Sequence, residues 1–141
     1  MFKPETSAHT ESLFTHCALA LDTSIAQSGE HGLPLIGTGD WNDGMNQVGS
    51  AGKGESVWFG WLLLKSIALF APLAKAYDQD RFKEWSDYSK LLHKRIEQVS
   101  WDGEWYRRAT YDDGSWLGTS NSKECRIDSF VYYAEPHKSR A

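Results

Sequence analysis

The chain has 141 residues, about one domain's worth, with 40% hydrophobic residues, 24% charged residues and a formal net charge of -4. Charges of both signs are interspersed without an acidic or basic block, which argues against nucleic-acid binding and fits an ordinary globular protein. The anomaly is tryptophan, at positions 41, 58, 61, 85, 101, 105 and 116; most tryptophans are core, so only individual ones are expected to face a ligand.

Residues 11–27 are rich in helix formers, with Leu13, Phe14, Cys17, Leu21 and Ile25 at helical spacing and Ser28-Gly29 as a stop, which predicts a helix. From 30 to 54, glycines at 32, 37, 39, 44, 49, 52 and 54 forbid a regular element, apart from a brief extended stretch at 33–36. Glu55 and Ser56 open a second helix with acid at its positive end, running to about Tyr77 and bent or broken at Pro72. Its stretch 57–74 is nearly all apolar, but Gly60, Lys65, Ser66 and Pro72 weaken it as a membrane span. A helix buried on several sides is expected instead. A third helix is predicted from Asp80 to about Val99, with Phe82, Trp85, Leu92, Ile96 and Val99 on one face. Residues 105–111 read as a strand, and Asp112-Asp113-Gly114-Ser115 as the turn of a small β-hairpin. The tail 132–141 has no helical pattern.

The segment Gly37-Thr38-Gly39-Asp40-Trp41-Asn42-Asp43-Gly44-Met45-Asn46 concentrates carboxylates, amides, an indole and glycines. Carboxylates and amides can hold vicinal hydroxyls, and an indole can stack on a pyranose face, so the segment reads as a carbohydrate site. Asp40 and Asp43 should oppose each other's ionisation, and burial should raise at least one pKa to give a proton-donating carboxyl. A calcium loop starting at Asp40 fails, because its required glycine falls on Met45 and its glutamate on Ala51. A nucleotide P-loop over 47–54 also fails, since Gln47 and Gly54 replace essential residues; Lys53 and its flanking glycines could still place a simple anion. Glu55 reads as first-turn helix charge, Asp112 and Asp113 as turn residues, and Glu124 as a carboxylate without local support. His9, His16, His31, His93 and His137 lack metal-type spacing; His31 alone stands beside the glycine loop. Cys17 and Cys125 are expected as reduced thiols. The start, Met1-Phe2-Lys3-Pro4-Glu5, lacks the pattern of a secretory leader. A cytoplasmic location is expected, within a parent protein that could itself be anchored at the inner membrane.

His31-Gly32-Leu33-Pro34-Leu35-Ile36, the 37–46 segment and Gly52-Lys53-Gly54-Glu55-Ser56-Val57-Trp58 together resemble glycoside hydrolase family 94, which contains inverting sugar phosphorylases. Trp105-Tyr106-Arg107-Arg108-Ala109, Asp112-Asp113-Gly114, Leu117-Gly118 and Glu124-Cys125-Arg126-Ile127-Asp128-Ser129 carry the same resemblance, most strongly to the phosphorylase-like region of cyclic β-1,2-glucan synthetases. Cellobiose and chitobiose phosphorylases are more distant kin. The resemblance implies a mainly α fold: a fragment of an (α/α)6 barrel with a small β-hairpin, residues 1–129 forming part of the catalytic domain. Residues 130–141 match nothing in the family and read as a truncated or frameshifted tail. It also implies Asp43 as general acid and Trp41 beside the cleaved bond. Asn42 is expected at the substrate, and Asp40 either supports the loop or contacts substrate. Inorganic phosphate is then the nucleophile, so one carboxyl suffices without a metal or further cofactor. The implied partners are a β-glucan or gluco-oligosaccharide, phosphate and the rest of a larger polypeptide. A non-catalytic glucan-binding module and an inverting hydrolase with Glu124 or Asp113 as base remain the alternatives. An incomplete barrel would expose apolar surface along 57–74.

Overall fold

A computed structural model describes residues 8–123 together with Cys125, Arg126, Asp128 and Val131. Residues 1–7, Glu124, Ile127, Ser129, Phe130 and 132–141 therefore lie outside the described residues. The architecture is mainly helical, with a small antiparallel hairpin, as the sequence predicts. The elements are α1 (Leu13–Ala26), α2 (Val57–Tyr77), α3 (Gln79–Ser100), β1 (Ala109–Thr110) and β2 (Trp116–Leu117).

Each helix starts where a side chain satisfies its free amides. Ser12 Oγ accepts from the Thr15 amide, Ser56 Oγ from Phe59, and Asp78 Oδ1 from Arg81. Asp78 also ends α2, its own amide donating to the Ala74 carbonyl, so a single residue turns the chain from α2 into α3. Pro72 does not break α2. The amide it lacks would have reached Ala68, and both residues are exposed, so water can serve that carbonyl.

Helix α2 is the centre of the core. It is long and apolar enough to cross a membrane by length and composition alone, yet Val57, Trp61, Leu63, Leu64, Ile67 and Ala74 are buried within the protein. Trp85, Leu92 and Ile96 of α3 meet that face. Gly60 lets the helices close, since a Cβ there would stand 3.0 Å from Ile96 Cδ1. Helix α1 is tied to α3 through Asp22, whose carboxylate accepts from Trp85 Nε1 at 2.8 Å and Arg81 Nε at 2.9 Å. The opposite side of α2 leaves Leu62, Leu69, Leu73 and Tyr77 exposed, and Leu13 and Leu19 of α1 are exposed as well. That is the open apolar surface expected along 57–74.

The predicted strand at 105–111 shortens to Ala109–Thr110, paired Ala109 with Leu117 and Thr110 with Trp116. Its first half serves other partners. Trp105 and Tyr106 are both buried, which breaks strand alternation. Trp105 Nε1 donates to the Gly118 carbonyl, Arg107 N to Ser100, and the Arg108 carbonyl accepts from Val57. This extended segment thereby joins the end of α3, the start of α2 and the hairpin.

Candidate functional site

The 37–46 loop is held from below by a buried carboxylate. Asp40 Oδ1 accepts from Arg108 Nη2 at 2.7 Å and from the Asn42 amide at 3.1 Å, and Oδ2 accepts from Ser56 Oγ at 2.6 Å. Its side chain is 1% exposed. Arg108 continues the network, with Nη1 donating to Ser56 Oγ at 3.2 Å and Nε to Asp128 Oδ2 at 2.7 Å. Gly39 makes the approach to Asp40 possible by taking φ +132°, a conformation that side chains disfavour.

Burial pushes the Asp40 carboxyl up, but hydrogen bonds from Arg108, Ser56 and the Asn42 amide, with the Arg108 charge, overcome it and leave the pKa below its ordinary 3.8. Asp40 is therefore not the carboxyl of the two whose pKa burial raises on balance. The guanidinium facing Asp40 is what sequence spacing could not reveal.

Beyond Asp40 the loop turns outward. Trp41 is 69% exposed. Asn42 caps a single 3-10 turn, Asp43–Met45, its Oδ1 accepting from the Gly44 amide at 3.0 Å. Asp43 is exposed and, among the described residues, its carboxylate has no hydrogen-bonding partner. Met45 is buried with Ile36, Val48 and Ala109, pinning the far end of the loop. Between Trp41 and the first turns of α2 lies a groove of about 330 Å³, lined by Ile36, Asp40, Trp58, Phe59 and Leu62. Aromatic walls beside a carboxyl-bearing loop suit the apolar face of a sugar ring.

Two other carboxylates make long-range contacts that sequence reasoning did not anticipate. Glu55 is outside the first turn of α2, because Ser56 is the cap, and its side chain is buried at 1% exposure. It turns back to the 29–33 turn, where Oε1 accepts from the Leu33 amide at 2.9 Å and the His31 amide at 3.1 Å. His31 Nδ1 stands 2.5 Å from its Oε2. Glu55 and His31 floor a second, polar cleft of about 400 Å³ that also takes in Lys53, Tyr111 and Asp113.

Asp112 lies in the turn expected of it, closed by the Gly114 amide on the Tyr111 carbonyl, and has a second role there. Its carboxylate accepts from the amides of Ala51 at 2.8 Å, Lys53 at 2.8 Å and Gly54 at 2.9 Å. The anion placed by the glycine-rich segment is thus the protein's own. Gly54 permits the approach, since a Cβ there would meet the Thr110 carbonyl at 2.7 Å. Asp113 is the turn residue expected, accepting from the Ser115 amide and hydroxyl.

The three amides, Ala51 first, hold the Asp112 carboxyl below 3.8. Asp40 shifts the same way. A folded chain with depressed carboxyls is fully stabilised above the unfolded value and loses that stability as pH falls through the folded one. The stability contributed by these two carboxyls should accordingly be intact above about pH 3.8 and decline as pH falls below it, read by thermal unfolding. Asp112→Asn should reduce that acid slope; an unchanged slope would contradict the assignment.

The residues of this site lie within a stretch of recognisable ancestry. The family model for the "Glycosyl hydrolase 94 superfamily, catalytic domain" matches residues 3–132. The cyclic beta-(1,2)-glucan synthase NdvB of Rhizobium meliloti is 47% identical over 131 residues, covering 92% of this chain and 5% of that protein. The 3-O-beta-D-glucopyranosyl-beta-D-glucuronide phosphorylase of Paenibacillus borealis is 32% identical over 122 residues, 86% of this chain and 16% of the enzyme. Cellobionic acid phosphorylase of Neurospora crassa is 33% identical over 131 residues, 88% of the chain and 16% of the enzyme. Kinship defines a class, that of carbohydrate-active domains. The chain belongs to the glycosyl hydrolase 94 superfamily, and it spans between 5% and 16% of the length of these relatives.

Proposed function

We propose that this segment supplies the acid side of an inverting glycoside phosphorylase site for β-linked gluco-oligosaccharides. Trp41 stacks on a pyranose at the cleaved bond, and Asn42 and Asp43 face it from the same loop. Asp43 gives its proton to the departing glycosidic oxygen while an oxygen of inorganic phosphate attacks the anomeric carbon from the opposite side. The C–O bond to the leaving sugar breaks as the bond to phosphate forms, with inversion. The observation that carries this reading is a division of labour within one motif. Asp40 is buried and fully engaged by protein groups, whereas Trp41 and Asp43, its close neighbours, stand exposed. Inorganic phosphate is the co-substrate; no other cofactor enters the scheme.

Titration of the chain with β-1,2-gluco-oligosaccharides should change tryptophan fluorescence, because Trp41 is open to solvent. In a chimera carrying residues 3–132 in place of the matching stretch of a full-length relative, sugar release should require phosphate. Binding by the chain with no phosphate-dependent release by the chimera would instead support a non-catalytic glucan-binding module. Release without phosphate would support a hydrolase, for which Asp113 is the described candidate base and Glu124 lies outside the described residues.

A further inference from the structure

We propose that Arg108 is the positioning residue of the 37–46 loop, fixing where Trp41 and Asp43 stand. Its bearing on catalysis rests on the carbohydrate reading above; its bearing on the loop does not. The Arg108 side chain is 3% exposed, and its three nitrogens reach three separate stretches of chain: Asp40 in the loop, Ser56 at the start of α2, and Asp128. Its backbone is clamped as well, the amide donating to Leu117 at 2.9 Å and the carbonyl accepting from Val57 at 3.2 Å. The guanidinium is therefore a fixed point in the framework, and Asp40 hangs from it.

Apart from Met45, buried at the loop's far end, the hydrogen bonds of this part of the loop lead back to Asp40 among the described residues. The Asn42 amide bonds to Asp40 Oδ1, and the Gly44 and Met45 amides bond to Asn42. The chain of contacts from framework to exposed tip thus runs Arg108, Asp40, Asn42, then the turn that bears Asp43. Ser56 Oγ closes a ring around the carboxylate, accepting from Arg108 and from the Phe59 amide while donating to Asp40. The registration of the loop against α2 is thereby fixed too. Only a planar fork can serve these acceptors together, since a lysine ammonium in the same space offers charge without the geometry.

Amide hydrogen exchange on the full chain separates a positioning role from a general strut. Arg108→Lys should speed exchange of the Asn42 and Gly44 amides by about tenfold while α3 amides at 92 and 96 stay within about twofold. Asp40→Asn, which keeps the guanidinium, should loosen the same amides, and the double variant should add little to either. If Arg108→Lys fails to fold, Asp40→Asn reads the same loop. Unchanged loop exchange in folded variants, or loosening spread equally through α3, would overturn the proposal. Loop loosening in a chain that shows no fluorescence response to gluco-oligosaccharides would uphold the positioning role and count against the carbohydrate reading alone.

Discussion

Asp43→Asn in the chimera described above should lower phosphorolysis by about 10² to 10⁴ in rate with little change in saccharide affinity. The substitution preserves shape and removes the proton. A departing sugar alkoxide is a poor leaving group, so the loss falls on the chemical step. A phenolic leaving group of low pKa needs little protonation. With a β-glucosyl nitrophenol as donor, the penalty should shrink to less than about tenfold. Exposure of Asp43 makes the comparison clean, because the side chain has no hydrogen-bonding partner among the described residues whose loss would disturb the fold. Equal penalties for both leaving groups would assign Asp43 to substrate binding instead.

Asp40→Asn should behave differently, although it is the other carboxylate of the motif. Its oxygens accept from Arg108, Ser56 and the Asn42 amide, so its replacement perturbs the support of the loop. Sequence composition showed two aspartates three positions apart and could not divide their work. The division is set by Arg108, which lies 68 residues from Asp40 in the chain.

The same distinction runs through the whole molecule. Helices α1, α2 and α3 were readable within a residue or two because apolar spacing and Ser or Asp caps are local signals. The loop's composition was readable for the same reason. The two internal anion sites were not: Glu55 bonds to amides 22 and 24 residues away, and Asp112 to amides 58 to 61 residues away. Glu55 precedes a helix and so mimics first-turn charge, and Asp112 is a true turn residue whose turn role hides a second one. Each has a sufficient local explanation, which conceals a long-range one. The strand prediction at 105–111 erred similarly, since β-prone residues there pair with α2 and the end of α3 as well as with the hairpin.

Glu55→Ala should cost about 3 to 5 kcal/mol of unfolding free energy, measured by urea denaturation, because it strands a buried amide and empties a buried site. The buried Leu33 amide loses its acceptor, as does the His31 amide, and the His31 ring loses the carboxylate on which it closes the turn. Water can reach His31, which is 30% exposed, but Leu33 is fully buried. The cavity left by the side chain adds to the penalty. Glu55→Gln keeps one carbonyl acceptor at nearly constant volume and should cost roughly half as much. The effect should reach the candidate site indirectly, since the Glu55 backbone pairs with Thr110 through both its amide and carbonyl, and Thr110 lies two residues beyond Arg108. A Glu55→Ala chain with unchanged urea midpoint would show that the 29–33 turn contributes nothing to the framework on which the loop depends.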